Sequence, residues 1–214
     1  MIKNIIFDLG GVVLNIDYDK TSAEFQKLGV KNFDELYSQA KQNSLFDKLE
    51  KGLISEEDFR DSIRRLAGFY ISDQDIDRAW NAMLLDLPAA RIEILKNAAL
   101  HYRTFLLSNT NSIHLRDYTM NLKKEHGIDS LSQLFEREFF SHEIHLRKPD
   151  VEAFKHVIDI TGVIPADTLF IDDSPQHLRG ARKTGLKTLF MDTAAGMTLS
   201  SVFENGFLKK EYLP

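Results

Sequence analysis

Five positions in this chain carry side chains that could act together on a phosphoryl group: Asp8, Ser108, Lys148 and the adjacent pair Asp172 and Asp173. Three carboxylates gathered in one place repel one another unless a cation sits among them, and hard carboxylate oxygens suit Mg²⁺. A lysine and a serine hydroxyl beside such a cation form a cradle for phosphoryl oxygens, supplying positive charge and a hydrogen-bond donor. A carboxylate that is not consumed as a metal ligand can attack phosphorus and form an aspartyl-phosphate. The chemistry that these residue types point to is metal-assisted phosphoryl transfer. For Asp8 the alternative is an aspartate that caps the turn after its strand, a common use of that residue.

The elements that must bring these residues together are legible as alternating apolar runs and helical patterns. Ile5-Ile6-Phe7 delivers Asp8 to a strand end, and Gly10-Gly11 lets the backbone turn closely around whatever sits there. Further strands are expected at 104–108, 138–141, 168–174 and 187–191, separated by helices near 89–101, 112–126, 150–161 and 176–184. Pro175 fits a helix start and Gly185 a helix stop. Alternating β and α units with short connections predict a doubly wound, Rossmann-like parallel α/β sheet, whose ligands sit at the carboxyl ends of its strands. The last twenty-odd residues are expected to form a short helix plus an edge segment.

Between the first strand and Pro88 the sequence is charged and helical, with no convincing strand. Helix starts are expected at Asn32-Phe33-Asp34-Glu35, Ser55-Glu56-Glu57-Asp58 and Ser72-Asp73-Gln74-Asp75, and a break at Lys51-Gly52. The predicted organisation is a core of residues 1–15 and 88–214 and a helical-bundle cap of residues 16–87, set over the sheet as a lid.

Composition narrows the class of function. The chain has 214 residues, 43% hydrophobic and 28% charged, with no cysteine and a formal charge of −5. That balance disfavours a general nucleic-acid or anionic-membrane binder. The missing thiols exclude disulfides, thiol catalysis and thiolate metal sites. No apolar run reaches the roughly 18 residues of a membrane span. The expectation is a cytoplasmic enzyme acting on a small phosphorylated metabolite, with its oligomeric state left open.

Four stretches taken in order carry a resemblance. Phe7-Asp8-Leu9-Gly10-Gly11-Val12-Val13, Leu107-Ser108-Asn109-Thr110, Arg147-Lys148-Pro149-Asp150 and Ile171-Asp172-Asp173-Ser174 resemble the four motifs of the haloacid dehalogenase (HAD) superfamily. The helical block after the first motif is similar to that family's cap. The resemblance implies Asp8 as nucleophile, Ser108 and Lys148 as phosphate binders, and Asn109 as a backbone N–H donor to the phosphate. It implies Mg²⁺ held by Asp8, the Gly10 carbonyl and Asp173 directly, with Asp172 as a further ligand or holding a metal-bound water. Phosphatases of the family usually carry a second aspartate two residues after the nucleophile, as general acid and base. Gly10 stands there instead, which is similar to a glycine-bearing subgroup that includes sugar-phosphate phosphatases. The function implied is a Mg²⁺-dependent phosphatase of small phosphomonoesters. The alternatives are a phosphomutase or dehalogenase of the same fold, or a non-catalytic binding or regulatory domain, which Gly10 alone favours.

Other residues carry weaker signals. Asp17 and Asp19 could replace the missing acid, although turn and cap roles suit them better. His142 and His145 flank Glu143 and could suggest a transition-metal site, with a solvated loop as the default. Arg179, Arg182 and Lys183 lie along one helix and read as a solvated face rather than an anion patch. Trp80 is expected in the cap core. Lys51, in a loop facing the sheet edge, could meet a substrate.

Overall fold

A computed structural model of the chain describes residues 1–30, 33 and 44–213. The strands are β1 (Asn4–Phe7), β2 (Arg103–Ser108), β3 (Arg137–Phe140), β4 (Thr168–Asp172) and β5 (Lys187–Phe190). They form one parallel sheet in the order β3-β2-β1-β4-β5, as the alternation of apolar runs and helices requires. β1 is central, with Ile5 opposite Thr104 of β2 and Leu169 of β4. The backbone N–H of Asp8 continues the ladder by donating to the Ile171 carbonyl at 2.9 Å.

The period of two along each strand divides the core between the sheet's faces. Ile5, Phe7, Leu106, Leu169 and Ile171 share one cluster with Ile92 and Leu95 of the helix Ala89–Ala99 and with Tyr118 and Leu122 of the helix Ser112–His126. Ile6, Phe105, Leu107 and Phe170 share the other with Phe154 of Val151–Thr161 and Leu178 of Pro175–Arg182. Helices on both faces explain why β1 is buried along its whole length and apolar from Ile5 to Phe7, with the Asn4 side chain donating to Thr168 Oγ1 at 3.0 Å.

Between β1 and Pro88 run the helices Tyr18–Lys27, Ser44–Glu50, Glu56–Ala67 and Asp73–Asn81. Ser55 starts the third of these with a reciprocal capping box to Asp58, and Ser72 caps the fourth through the Asp75 N–H. The expected start at Asn32-Phe33-Asp34-Glu35 lies, apart from Phe33, outside the described residues. These helices enclose an aromatic cluster in which Phe25 stacks on Phe33 at 4.0 Å and Phe46 on Trp80 at 5.3 Å. Trp80 is thus cap core, and it also reaches the sheet domain, stacking on His114 at 4.7 Å. Ile113 joins the same cluster, so the cap docks on the first turn of Ser112–His126.

The tail differs from expectation. After the short helix Leu199–Val202, Phe203–Glu204 and Phe207–Leu208 form a separate antiparallel hairpin rather than an edge of the main sheet. Asn205 and Gly206 both take positive φ, 50° and 83°, the requirement of a tight two-residue hairpin turn. Phe207 stacks on His101 at 3.7 Å, which anchors the hairpin beyond the end of Ala89–Ala99. Among the described residues no helix is long and apolar enough to cross a membrane.

Candidate functional site

The carboxyl ends of β1, β2 and β4 open onto a cavity of about 570 Å³ bounded by Asp8, Gly10, Ser108, Asn109 and Asp173 from the sheet side. Its cap side includes Tyr18, Glu50, Met83 and Leu84, so the helical insertion covers the sheet's active edge. The volume falls within the range of about 300–1,000 Å³ usual for small-molecule sites.

Lys148 lies behind this cavity, its side chain fully buried. Its ammonium is 2.7 Å from Asp8 Oδ1 and 2.8 Å from Asp172 Oδ2. Burial alone would lower the Lys148 pKa, but the charges of Asp172 and Asp8 outweigh it and hold the lysine protonated. The loop that carries it is fixed by Asn109, whose side-chain amide donates to the Lys148 carbonyl at 2.8 Å and whose Oδ1 accepts from the Lys148 N–H at 2.9 Å. The sequence pointed only to the Asn109 backbone; the side chain instead clamps the Lys148 loop to the end of β2. The helix that follows starts later, with Asn111 as its cap accepting from the His114 N–H.

Asp172 has both oxygens engaged. Oδ2 takes Lys148, while Oδ1 accepts from the Ser174 N–H at 2.7 Å, and His177 Nδ1 lies 3.0 Å from both. Burial works against its charge, but Lys148 and then His177 hold the Asp172 pKa below the usual carboxylate range. Burial likewise lowers the His177 pKa, so a neutral ring donates Nδ1–H to the carboxylate. Sequence reasoning missed His177. Its signal was available, because Pro175 opens a helix whose first turn faces back to the strand end that carries Asp172.

Asp8 and Asp173 are in a different state. Burial raises the Asp8 pKa well above normal, and the charges of Asp172 and Asp173 add to that against the single lysine. Burial and the Asp172 charge push Asp173 up to about 6. Asp8, Asp172 and Asp173 thus outnumber the Lys148 ammonium buried beside them, and Asp8 and Asp173 both line the cavity. That donor set fits a hard divalent cation such as Mg²⁺. A second grouping, Asp8, Asp172 and His177, also has ligand atoms within 4.8 Å of one another. Its Asp172 is committed to Lys148, Ser174 and His177, so the first set is the better fit.

The glycines after Asp8 serve different purposes. Gly11 takes φ 77°, and a Cβ there would run into the Asp173 carboxylate. Gly10 does not take positive φ; a Cβ there would meet Ile16 Cδ1 at 3.1 Å. The turn's close approach to Asp173 therefore belongs to Gly11.

The weaker candidates fall elsewhere. Asp17 caps Tyr18–Lys27 by accepting from the Asp19 N–H at 3.1 Å, and neither aspartate lines the cavity. His142, Glu143 and His145 do not form a metal cluster among the described residues. The loop expected around them is in part a helical turn, Ser141–Ile144. His145 Nδ1 instead contacts the Lys51 carbonyl at 2.8 Å, a seam between core and cap where a Cβ on Gly52 would strike the His142 carbonyl. Lys51 is 3.5 Å from both Asp47 and Asp150, and Glu50 rather than Lys51 faces the cavity. The basic stripe divides: Arg179 borders the cavity, Arg182 donates to Thr188 at 2.8 Å, and Lys183 is exposed.

Comparison with known proteins identifies the family. Residues 2–185 match the model of the haloacid dehalogenase-like hydrolases. The chain is 29% identical over 195 residues to D-ribitol-5-phosphate phosphatase of Bacteroides thetaiotaomicron, covering 91% of this chain and 94% of that protein. A HAD family enzyme of the same organism, solved with magnesium and inorganic phosphate, superposes with a TM-score of 0.82 at 36% identity, covering 89% and 94% of the two chains. A HAD-like family hydrolase of Porphyromonas gingivalis superposes with a TM-score of 0.81 at 32% identity, covering 89% and 91%. The chain belongs to the haloacid dehalogenase-like hydrolases.

Proposed function

We propose that this hydrolase is a Mg²⁺-dependent phosphatase that cleaves a small phosphomonoester, of the sugar- or polyol-phosphate class, through an aspartyl-phosphate on Asp8. The observation that carries the reading is the salt bridge between the buried Lys148 and Asp8, on a carboxylate that still borders the cavity. Lys148 holds one Asp8 oxygen at 2.7 Å, and the Leu9 N–H donates to the same atom at 2.7 Å. Both contacts fix the carboxylate for attack on phosphorus. The division into a core of 1–15 and 88–214 and a cap of 16–87 belongs to the same proposal, with the cap excluding bulk water from the reaction.

Asp8, the Gly10 carbonyl and Asp173 would hold Mg²⁺, and Asp172 would act by orienting Lys148 rather than by direct ligation. When bound, the cation would screen the charges of Asp8, Asp173 and the phosphoryl oxygens. Ser108 and the backbone around Asn109 would bind the phosphoryl oxygens at the end of β2, with Lys148 beside them. Attack by Asp8 breaks the bond between phosphorus and the leaving-group oxygen, and water then cleaves the acyl-phosphate to return Asp8 and release phosphate. The D-ribitol-5-phosphate phosphatase relative supports a polyhydroxylated leaving group. The carboxylate pair disfavours a metal-independent dehalogenase, because uncompensated acids would repel an anionic haloacid.

An assay on p-nitrophenyl phosphate with Mg²⁺, and then with a chelator, tests the reading. Metal-requiring turnover, with a hydroxylamine-sensitive phosphoenzyme trapped on Asp8, supports it. Metal-independent halide release would favour dehalogenation, and inactivity on both would favour a binding domain.

A further inference from the structure

A second cavity, of about 400 Å³, lies against the first. The two share Asp173, Ile16 and Tyr18, so they meet at an acid assigned above to Mg²⁺. Among the described residues the second cavity's wall carries one other charged side chain, Arg91, with Asn15, Thr193 and Thr198 around it.

Arg91 is only 9% exposed and forms no ion pair among the described residues. Its Nη1 donates to the Val13 carbonyl at 3.0 Å, and its other N–H groups have no partner among the described residues. Those groups are not sealed from solvent, so they open onto the cavity. The charge of Asp86 offsets part of the cost of burial, but its Oδ1 already accepts from the Asn15 amide at 2.9 Å. Holding the Val13 carbonyl takes a donor but not a charge. The turn also closes on itself, with the Val13 N–H donating to Leu9 and the Gly11 N–H to Leu14, each at 2.8 Å. A buried guanidinium without an acid is costly, and its planar fork of donors suits an oxyanion.

The rest of the wall fits the same ligand. With Asp173 neutralised by Mg²⁺, no acid on this wall would balance Arg91. Thr193 and Thr198 bring hydroxyl donors to it. Gly196 borders the cavity too, and a Cβ added there would meet nothing within 4 Å. Arg91 is therefore open to a small anion from the side of the loop that follows β5.

We propose that the Arg91 cavity is a second oxyanion site, which takes inorganic phosphate beside the metal and outside the cradle of Ser108 and Lys148. Phosphate is also the product of the hydrolysis, so the site would let product remain on the protein after Asp8 is free. The inference rests on the phosphatase reading for the neutralisation of Asp173. It goes beyond that reading by adding a site that no step of catalysis uses.

NMR of the isotope-labelled protein tests it. Mg²⁺ is added first, and the Asp173 amide reports whether the metal binds. Inorganic phosphate is then titrated at constant ionic strength. In the native protein the Arg91 Nε–H and the Thr193 and Thr198 amides should shift together and saturate, separately from a saturating response at Ser108 and Asn109. Arg91→Gln can still donate to Val13 but carries no charge. It should weaken the Thr193 and Thr198 response at least about tenfold and leave the response at Ser108 and Asn109 in place. Arg91→Lys keeps the charge and guards against a Gln variant that does not fold; it should retain a weakened but saturating response. Shifts that never saturate in the native protein, equal affinity in Arg91→Gln, or loss of the response in Arg91→Lys overturn the proposal while leaving the phosphatase intact. If Mg²⁺ alone leaves the Asp173 amide unmoved, the metal reading fails and this inference with it.

Discussion

Asp172 presents one carboxylate oxygen to the Lys148 ammonium at 2.8 Å, and neither side chain reaches solvent. Asp173, its neighbour in sequence, has no basic partner among the ion pairs of the described residues and borders the cavity instead. One step along the backbone separates an acid that positions a lysine from an acid open to a ligand.

Substitution of the pair should separate these roles. Asp173→Asn should raise the Mg²⁺ concentration for half-maximal activity by about tenfold or more, the scale on which ligand-shell changes act. Asp172→Asn should lower kcat with a smaller effect on the metal requirement, because it loosens Lys148. Mg²⁺ titrations of activity on both variants check the assignment, and the reverse order would exchange the roles.

Asp8→Asn should lower turnover by at least about 10³-fold, since an amide of nearly the same shape is a poor nucleophile. The fold should stay intact, because the amide has nearly the same shape and its oxygen can still accept from the Lys148 ammonium and the Leu9 N–H. Near-native turnover of a well-folded Asp8→Asn protein would exclude the covalent route.

Gly10 raises the question of where the leaving-group proton comes from. Without a general acid, phosphorylation rates should fall steeply as the leaving-group pKa rises, and aryl or acyl phosphates should outrun alkyl ones. Gly10→Asp should then help alkyl phosphates selectively, up to the range of about 10²–10⁴ typical of general acid catalysis. The cost of that substitution is contact with Ile16 Cδ1, a flexible side-chain end, rather than a strained backbone. Single-turnover rates across a leaving-group series decide the point. A flat dependence with chemistry rate-limiting would mean that another group or an ordered water already donates the proton.

A pH effect should arise where cap meets core, at Glu56. It accepts from Ser112 at 2.7 Å and from Arg116 at 3.0 and 3.1 Å, and Arg60 joins at 2.9 Å. Burial opposes its charge, but these partners outweigh it and lower the pKa from 4.5 to about 2. A depressed folded pKa means stability that is present above pH 4.5 and lost as the pH falls towards 2. With solvent screening the contribution is about 1–2 kcal/mol. The melting-temperature gap between the native protein and Glu56→Gln should therefore close across that window, and a constant gap would show that the pair adds no pH-dependent stability.

How far the sequence disclosed all this depended on the range of each interaction. Helix Ser112–His126 was expected over 112–126 and is found there, because its cap and its left-handed Gly127 stop are local signals. The strands were legible from apolar runs, and the parallel sheet from their alternation with helices. The tail hairpin was missed although Asn205-Gly206 announces it, since its flanking strands are only two residues each. The Glu50–Arg147 bridge could not be seen, because it joins residues brought together only when the cap sits on the sheet. Asn109 was named for its backbone, and only the fold reveals that its side chain grips the Lys148 loop.

The central place of β1 also governs the order in which the molecule can assemble. The strand that leads to Asp8 is made first, yet Ile5 must wait for Thr104 and then for Leu169 before both its edges are satisfied. Cap contacts such as Phe46 on Trp80 close over far shorter stretches of chain. Loop-closure entropy therefore favours a cap cluster that gathers early, with the sheet as the slow step. Until β4 arrives, one edge of a largely apolar first strand is available for intermolecular pairing, so expression yield should be most sensitive to changes that delay β4 from docking on β1.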